Sequence, residues 1–166
     1  ELLLESALDD SAGTFIFKVV TSLVHHSQSR KHGCTIVVDL DPEPVAISGQ
    51  VLSPPLDLRK PYMLKMAKSL AKVDGALHIG ADLHLHGFAC LLDGRSFQGE
   101  DLARGARYNS ALRFTAEHPN IIVVVVSSDR PVSVIHQGVD VHGSCSWDRK
   151  SGCLYDLERL DHWVGQ

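Results

Sequence analysis

The hydrophobic and polar positions of the chain follow two periods, one typical of strands and one typical of helices. A mostly apolar segment at 34–40 and a continuous apolar run at 121–126 predict buried strands, and the second is expected to be central and covered on both faces. Alternation over 83–88, after a turn at Gly80-Ala81-Asp82, predicts a half-buried strand. The sequence therefore predicts a sheet whose middle strands are shielded from solvent.

Apolar residues at helical spacing predict a helix from Thr14, as its N-cap, to near Gly33, and a second helix from Pro61. A third helix is expected over 104–117, where Pro119 ends it. Weaker predictions are short helices at 2–8 and 154–164, a strand at 45–52 that stops in a loop at Ser53-Pro54-Pro55, and a hairpin around Gln137-Gly138.

Strands and helices alternate without the even spacing of repeated βαβ units. The fold class predicted is therefore α/β, with a twisted mixed β-sheet flanked by helices. A length of 166 residues predicts one domain spanning 1–166, with enough residues for a sizeable core. The chain begins at Glu1 and not at Met, which favours a domain excised from a longer protein.

The composition is that of a soluble globular protein, with 44% hydrophobic and 22% charged residues. A net charge of -4 disfavours nucleic acid as a partner, and no apolar run approaches the length that crosses a bilayer. Four cysteines, at positions 34, 90, 145 and 153, form no C-x-x-C pair, so buried reduced thiols are favoured over a zinc site. These features predict a cytoplasmic protein.

Asp74 is the first candidate for chemistry. It follows an apolar helix end and precedes Gly75 and Ala76, whose small side chains leave room for a bulky ligand. A carboxylate in this setting can bind a divalent metal or take a proton from a hydroxyl group. The alternative is that Asp74-Gly75 forms an ordinary turn between helix and strand.

Gly105 and Arg107 flank the predicted start of the third helix. Unpaired N–H groups and the helix dipole favour an anion there, and glycine lets a phosphate approach the backbone. Arg104 or Arg107 could bind that charge bidentately. The alternative is a glycine-containing loop followed by solvated arginines. His84 and His86 share one strand face, but no third metal ligand is evident, so an ordinary strand face is favoured.

Taken together, these segments resemble the diadenylate cyclase (DAC) domain of the DisA N-terminal type. The likeness rests on Asp74-Gly75-Ala76, on the later run Gly105-Ala106-Arg107-Tyr108-Asn109-Ser110-Ala111, and on a strand that ends in Val126-Ser127. The segment His32-Gly33-Cys34 and the apolar run after it are similar to the family's entry into its first strand. The resemblance covers residues 30 to 140.

The resemblance implies a nucleotidyltransferase that joins two ATP molecules into the second messenger cyclic di-AMP, with Mg²⁺ or Mn²⁺, in a homo-oligomer whose paired subunits face each other. Asp74 would be catalytic and would bind the metal. The nucleotide-binding residues implied are Gly75, Ala76, Gly105, Ala106, Arg107, Tyr108, Asn109 and Ser127. Within that set, Arg107 would bind phosphate and Ser127 would lie near the triphosphate.

Four positions depart from the family pattern. The family's Arg-His-Arg motif reads Arg107-Tyr108-Asn109, Val73 replaces a histidine, and Ser128 stands where an acid is expected. Asparagine cannot supply the charge of a guanidinium, and a charge-assisted contact contributes about 1.5–3 kcal/mol. Two readings follow: an active diadenylate cyclase, or an inactive sensor that binds a nucleotide and regulates a fused or neighbouring effector. A dimerisation module without a pocket is a third, weaker reading.

Overall fold

The computed structural model of the protein describes residues 10–96 and 102–141. Within these residues the chain forms three α-helices, one short 3-10 helix and seven strands. In chain order they are α1 (Asp10–Ser29), β1 (Cys34–Asp39), β2 (Gln50–Asp57), α2 (Pro61–Leu70), β3 (Ala76–Gly80), β4 (His84–Cys90), the 3-10 helix (Leu102–Arg104), α3 (Ala106–Glu117), β5 (Ile121–Val126), β6 (Ser133–His136) and β7 (Val139–Asp140).

All seven strands form one mixed sheet in the order β2-β4-β3-β1-β5-β6-β7. The middle strand β1 runs parallel to β3 and antiparallel to β5. Strands β5, β6 and β7 form an antiparallel succession in which the predicted hairpin around Gln137-Gly138 joins the last two. The predicted α/β class with a mixed sheet is confirmed.

The core has two layers, one on each face of the sheet. α1 and α2 pack on one face, where Leu23 and Ala67 are fully buried, and α3 packs on the other through Ala111. Successive residues of β5 point alternately into the two layers, so that Val124 belongs to the first and Val123 to the second. Every residue of β5 is buried, which confirms that this strand is covered on both faces.

Two predicted boundaries are wrong. α1 begins at Asp10, so Thr14 lies inside the helix; Gly13 is buried there and does not break it. β2 continues through Pro54 and Pro55, although the proline pair predicts a loop there. β2 pairs only with β4, at the edge of the sheet, and the ladder is irregular between Val51 and Leu56. Proline is tolerated in such a strand because no ladder N–H is required of it.

Other predictions can be followed only in part. The weak helices at 2–8 and 154–164, together with Cys145 and Cys153, lie outside the described residues. Cys34 and Cys90 are buried free thiols, as predicted, and burial raises the pKa of Cys34 to about 11. None of the described helices is both long enough and apolar enough to span a bilayer.

A buried polar pair closes the far end of β1, away from the end where α3 begins. The Asp39 carboxylate accepts hydrogen bonds from the Asp41 and Val45 N–H groups at 3.0 and 2.8 Å, and His78 Nε2 lies 2.9 Å from it. Burial tends to raise the pKa of Asp39, but the hydrogen bonds from His78 and the two N–H groups outweigh it, so the pKa is lowered. The carboxylate therefore ties β1 and β3 to the loop that follows β1.

We expect Asp39→Asn to lower the free energy of unfolding by about 1–3 kcal/mol, because an amide NH₂ would face groups that donate hydrogen bonds. The lowered pKa also predicts acid sensitivity. The contribution of Asp39 is complete above the unfolded pKa of about 3.9 and is lost as pH falls through the lower folded value. Urea unfolding at several pH values checks both points. Equal stability of the two proteins at neutral pH would contradict the first.

Candidate functional site

The pairing of the strands brings three chain segments to one edge of the sheet, namely the border formed by the ends of its central strands. β1 and β3 begin at this edge, since Thr35 pairs with Ala76, and the antiparallel β5 ends there, since Cys34 pairs with Val126. The residues just outside the three strands therefore meet. They are Gly33 before β1, Asp74 before β3 and Ser127 after β5.

The start of α3 completes this edge. Gly105 is the N-cap, with φ of 92° and no side-chain hydrogen bond to the helix end. Glycine adopts this left-handed region without the strain that a side chain would cause. The first N–H groups of a helix lack partners within the helix, and here no cap side chain occupies them. The start of α3 is therefore suited to bind an anion.

A cavity of about 680 Å³ lies between the start of α3 and the ends of β1 and β5. Its volume is within the range of pockets that hold small molecules and cofactors. The lining residues are Gly33, Asp74, Arg104, Gly105, Ala106, Arg107, Tyr108, Val125, Val126, Ser127, Ser128, Arg130, Pro131, Val132, Ser133 and Asp140.

The charged residues of the lining are three arginines and two aspartates, a net charge of +1 in a chain whose net charge is -4. Arg107 Nη2 donates a hydrogen bond of 2.8 Å to Asp74 Oδ1. This contact with Arg107 lowers the pKa of Asp74. The Asp74 side chain is nevertheless 91% exposed, so a ligand in the cavity can reach it.

The opposite wall of the cavity is built around Arg104. Its Nη2 donates hydrogen bonds to Ser133 Oγ at 3.0 Å and to Asp140 Oδ2 at 2.9 Å. The guanidinium also lies 4.0 Å from the centre of the Tyr108 ring, a cation–π contact. Arg130 donates to the Ala103 carbonyl at 2.8 Å. These contacts fasten the segment before α3 to β6 and β7, and they keep positive charge at the cavity wall.

Six of the nine predicted site residues line the cavity: Asp74, Gly105, Ala106, Arg107, Tyr108 and Ser127. Three do not: Gly75, Ala76 and Asn109. Ala76 is buried within β3, and a Cβ on Gly75 would clash with the Ala89 backbone, so packing explains the small residues here. Asn109 is 4% exposed, and its Nδ2 donates to the Gly105 carbonyl within the helix.

Several lining residues were not predicted, notably Gly33, Ser133 and Asp140. The sequence predicts Gly33 only near the end of the first helix and in a segment similar to the family's entry into its first strand. Ser133 and Asp140 reach the cavity because β6 and β7 fold back beside β5. No local pattern could reveal them, since their place depends on strand pairing between distant segments.

His84 and His86 belong to a different part of the molecule. Asp82, in the turn before β4, lies 2.9 Å from His86 Nε2 through its carboxylate and 2.7 Å from His84 Nδ1 through its carbonyl. The described residues contain no group of three or more His, Cys, Asp or Glu side chains that could hold a metal ion.

The fold and the cavity define an α/β domain with a cavity at the start of a helix, a place suited to an anion. The profile of the family described as "DisA bacterial checkpoint controller nucleotide-binding" (DAC) matches residues 22–139, more than half of the chain. The chain therefore belongs to the DAC family of nucleotide-binding domains. The matched span contains every residue that lines the cavity except Asp140.

Solved structures agree on the fold. A hypothetical membrane spanning protein from Bacillus cereus matches with a TM-score of 0.56 and 19% identity, over 74% of this chain and 60% of that one. A double mutant of DacA from Staphylococcus aureus matches with a TM-score of 0.54 and 16% identity, over 74% of this chain and 81% of that one. No curated protein matches the sequence.

Proposed function

We propose that the cavity binds an adenine nucleotide through its phosphates, and that two such domains join two ATP molecules into cyclic di-AMP. The observation that carries the proposal is the meeting, in one cavity, of Asp74, Gly105, Arg107 and Ser127. These residues come from three separate segments of the chain. They are the positions for which the resemblance implies contact with metal and phosphate.

Three features of the cavity favour phosphate as the group that it binds. The uncapped start of α3 offers N–H donors, and Arg107 offers a guanidinium beside them. Arg104 and Arg130 add positive charge to the same lining. The Ser127 hydroxyl, which donates to Asp129 Oδ1, lies at the end of β5 on the same side. A triphosphate fits this set better than a neutral ligand, because its charge is balanced by fixed donors.

Asp74 is better suited to hold a metal ion than to act as a general base. Its pKa is lowered by Arg107, and a weaker base accepts a proton less readily. The carboxylate lines the cavity and is accessible, which fits Mg²⁺ or Mn²⁺ held by one carboxylate together with ligand phosphates. A bound metal would supply charge neutralisation and a lower pKa for a nearby hydroxyl.

The proposed reaction forms two bonds in sequence. The 3′ oxygen of one ATP attacks the α-phosphorus of the other, its proton is released and pyrophosphate leaves; the reverse pairing then closes the ring. In this scheme Arg107 and the α3 N–H groups would hold phosphate oxygens, and Asp74 would hold the metal ion that activates the attacking hydroxyl. Each reacting nucleotide needs a cavity of its own, so the active form would be a homodimer with the two cavities facing.

A second candidate is a sensor that binds the nucleotide without converting it. The observation that favours it is the position of Asn109, which is buried and turned into α3 where the family motif has an arginine. The cavity then has one arginine fewer from this motif than an active relative. In this case nucleotide binding would regulate a fused or neighbouring effector.

Incubation of the purified domain with ATP and either Mn²⁺ or Mg²⁺, followed by nucleotide chromatography, separates the candidates. The expected result is cyclic di-AMP with two pyrophosphates released per product molecule. Omission of the metal, and replacement of ATP by 3′-deoxy-ATP, serve as controls because both remove a required part of the reaction. Binding of ATP without conversion would select the sensor. A domain that neither binds nor converts ATP would overturn both.

A further inference from the structure

Gly33 lies under the guanidinium of Arg107. An alanine Cβ at this position would fall closer than 3.0 Å to Arg107 Nη1, a separation that real Cβ atoms essentially never show. The same Cβ would be 3.4 Å from Arg107 Cζ and 3.3 Å from the Val126 carbonyl oxygen. Gly33 is not among the described glycines with positive φ, so the backbone itself does not demand glycine here. The requirement is one of space.

The guanidinium crosses the edge of the sheet at this point. Arg107 extends from the first turn of α3, on the side of β5, and reaches Asp74 before β3. β1 lies between β5 and β3, so the side chain must pass over the start of β1. Gly33, the residue directly before β1, lies there. Its missing side chain leaves the space that the guanidinium fills.

The position of Gly33 is fixed by the end of α1. Lys31 adopts φ of 53° and its N–H bonds to the Gln28 carbonyl at 3.0 Å. The His32 N–H bonds to the Ser27 carbonyl at 3.1 Å. These two hydrogen bonds form a Schellman motif, which ends a helix with a defined change of direction. The chain therefore enters β1 along a set path, with Gly33 held at the cavity.

We propose that Gly33 is a positioning residue, whose absent side chain forms the seat that places the Arg107 guanidinium between Asp74 and the phosphate site. This inference rests on the proposed function in one respect, namely that the anion held by Arg107 is a nucleotide phosphate. A charge-assisted contact depends on geometry, so a displaced guanidinium binds less well even though its charge is unchanged. Gly33 thus acts through Arg107 and needs no contact with the ligand.

A double-mutant cycle tests the seat. Gly33→Ala, Arg107→Ala and the double variant are compared with the unmodified domain for ATP affinity by calorimetry, without metal. We expect Gly33→Ala to weaken binding about 5- to 20-fold alone and less than twofold in the Arg107→Ala background, because the two residues act through one contact. An equal loss in both backgrounds would overturn the proposal, and so would no loss in either.

The fold should survive the substitution, because the nearest clashing atom is the far end of a flexible side chain. Thermal unfolding of all four proteins checks this point.

A second measurement of the Arg107 position needs no ligand. It records the NMR signals of the Arg107 guanidinium, which are assigned by their loss in Arg107→Ala. In the unmodified domain the hydrogen bond to Asp74 should stop the guanidinium from rotating, so separate Nη signals are expected. In Gly33→Ala the guanidinium becomes free to rotate, and these signals should average.

The two measurements separate the seat from the proposed function. If the unmodified domain does not bind ATP but the Nη signals change as expected, the nucleotide proposal fails and the seat stands. If ATP binds and the signals are the same in Gly33→Ala, the seat is refuted while nucleotide binding is untouched.

Discussion

Arg107→Ala is expected to weaken ATP binding by about 10- to 100-fold, the largest effect on affinity of any single change in the cavity. The substitution removes a guanidinium that lines the cavity from the first turn of α3, and a hydrogen bond to a charged group contributes about 1.5–3 kcal/mol. It also removes the hydrogen bond that Arg107 donates to Asp74, so an exposed negative charge faces the incoming phosphates without its guanidinium partner. Both effects act in the same direction. Calorimetry with ATP, ADP and AMP should show a loss that grows with the number of phosphates.

The chain offers a matched control in a second aspartate–arginine pair. Arg59 Nε donates to Asp57 Oδ1 at 2.7 Å, much as Arg107 contacts Asp74, but neither Arg59 nor Asp57 lines the cavity. Arg59→Ala should therefore leave ATP affinity unchanged. If Arg107→Ala binds ATP as well as Arg59→Ala does, with both proteins folded, the phosphates lie elsewhere in the molecule.

The strands were predictable because their patterns are local. An unbroken apolar run made Ile121–Val126 a doubly covered strand, and alternation after Gly80 gave β4 its half-buried character. The errors also have local causes. A proline pair predicts a strand end because proline lacks the N–H that a central strand needs, yet β2 lies at an edge where that N–H is dispensable.

The site could be predicted where charged side chains and small residues occur together in one short segment of the chain. The motif around Gly105 pointed to an anion at the start of α3, and the structure places it beside Asp74, 31 positions earlier in the chain. Gly33, Asp140 and the Asp39–His78 pair could not be foreseen, since each depends on segments that meet only through the sheet. For Asn109 the local motif is misleading. Its place in the motif predicts contact with the pocket, but its side chain bonds to the Gly105 carbonyl and does not line the cavity.

Asp74→Asn is expected to lower the rate of cyclic di-AMP synthesis by on the order of 100-fold or more, if the domain is the proposed cyclase. The change keeps the size of the side chain and removes the charge that would hold Mg²⁺ or Mn²⁺ beside the phosphates. Without metal, the same variant should bind ATP as tightly as the unmodified domain or a few-fold more tightly. Arg107 is then no longer paired with a carboxylate, and one negative charge near the phosphates is gone.

Asp74→Asn is therefore expected to lower the rate of cyclic di-AMP synthesis without weakening the binding of ATP. A simple loss of structure would lower both. Asp57→Asn is the control, because it removes a carboxylate from an aspartate–arginine pair that lies outside the cavity. Initial rates of product formation and metal-free calorimetry are measured on the same three proteins. If the domain is a sensor, no product forms and only the calorimetry gives a result. Asp74→Asn then changes the affinity for ATP modestly.

Restoring the family residues with Tyr108→His and Asn109→Arg gives the complementary measurement. The structure predicts a cost for each change. Tyr108 supports the guanidinium of Arg104, and position 109 is buried, so an arginine there must leave the helix interior to reach solvent or ligand. We expect this double variant to unfold at a lower temperature. Gain of synthesis in spite of that loss would mean that the two positions silence an otherwise complete cavity.

Synthesis by the unmodified domain that survives Asp74→Asn would refute the role given to this carboxylate. The essential acid would then be sought at Asp140, the other carboxylate that lines the cavity, or at Asp129, which accepts a hydrogen bond from Ser127. Asp140 already binds Arg104, so Asp140→Asn would loosen that arginine as well as remove an acid. A rate loss in Asp140→Asn that Arg104→Ala does not reproduce would assign the chemistry to the carboxylate itself.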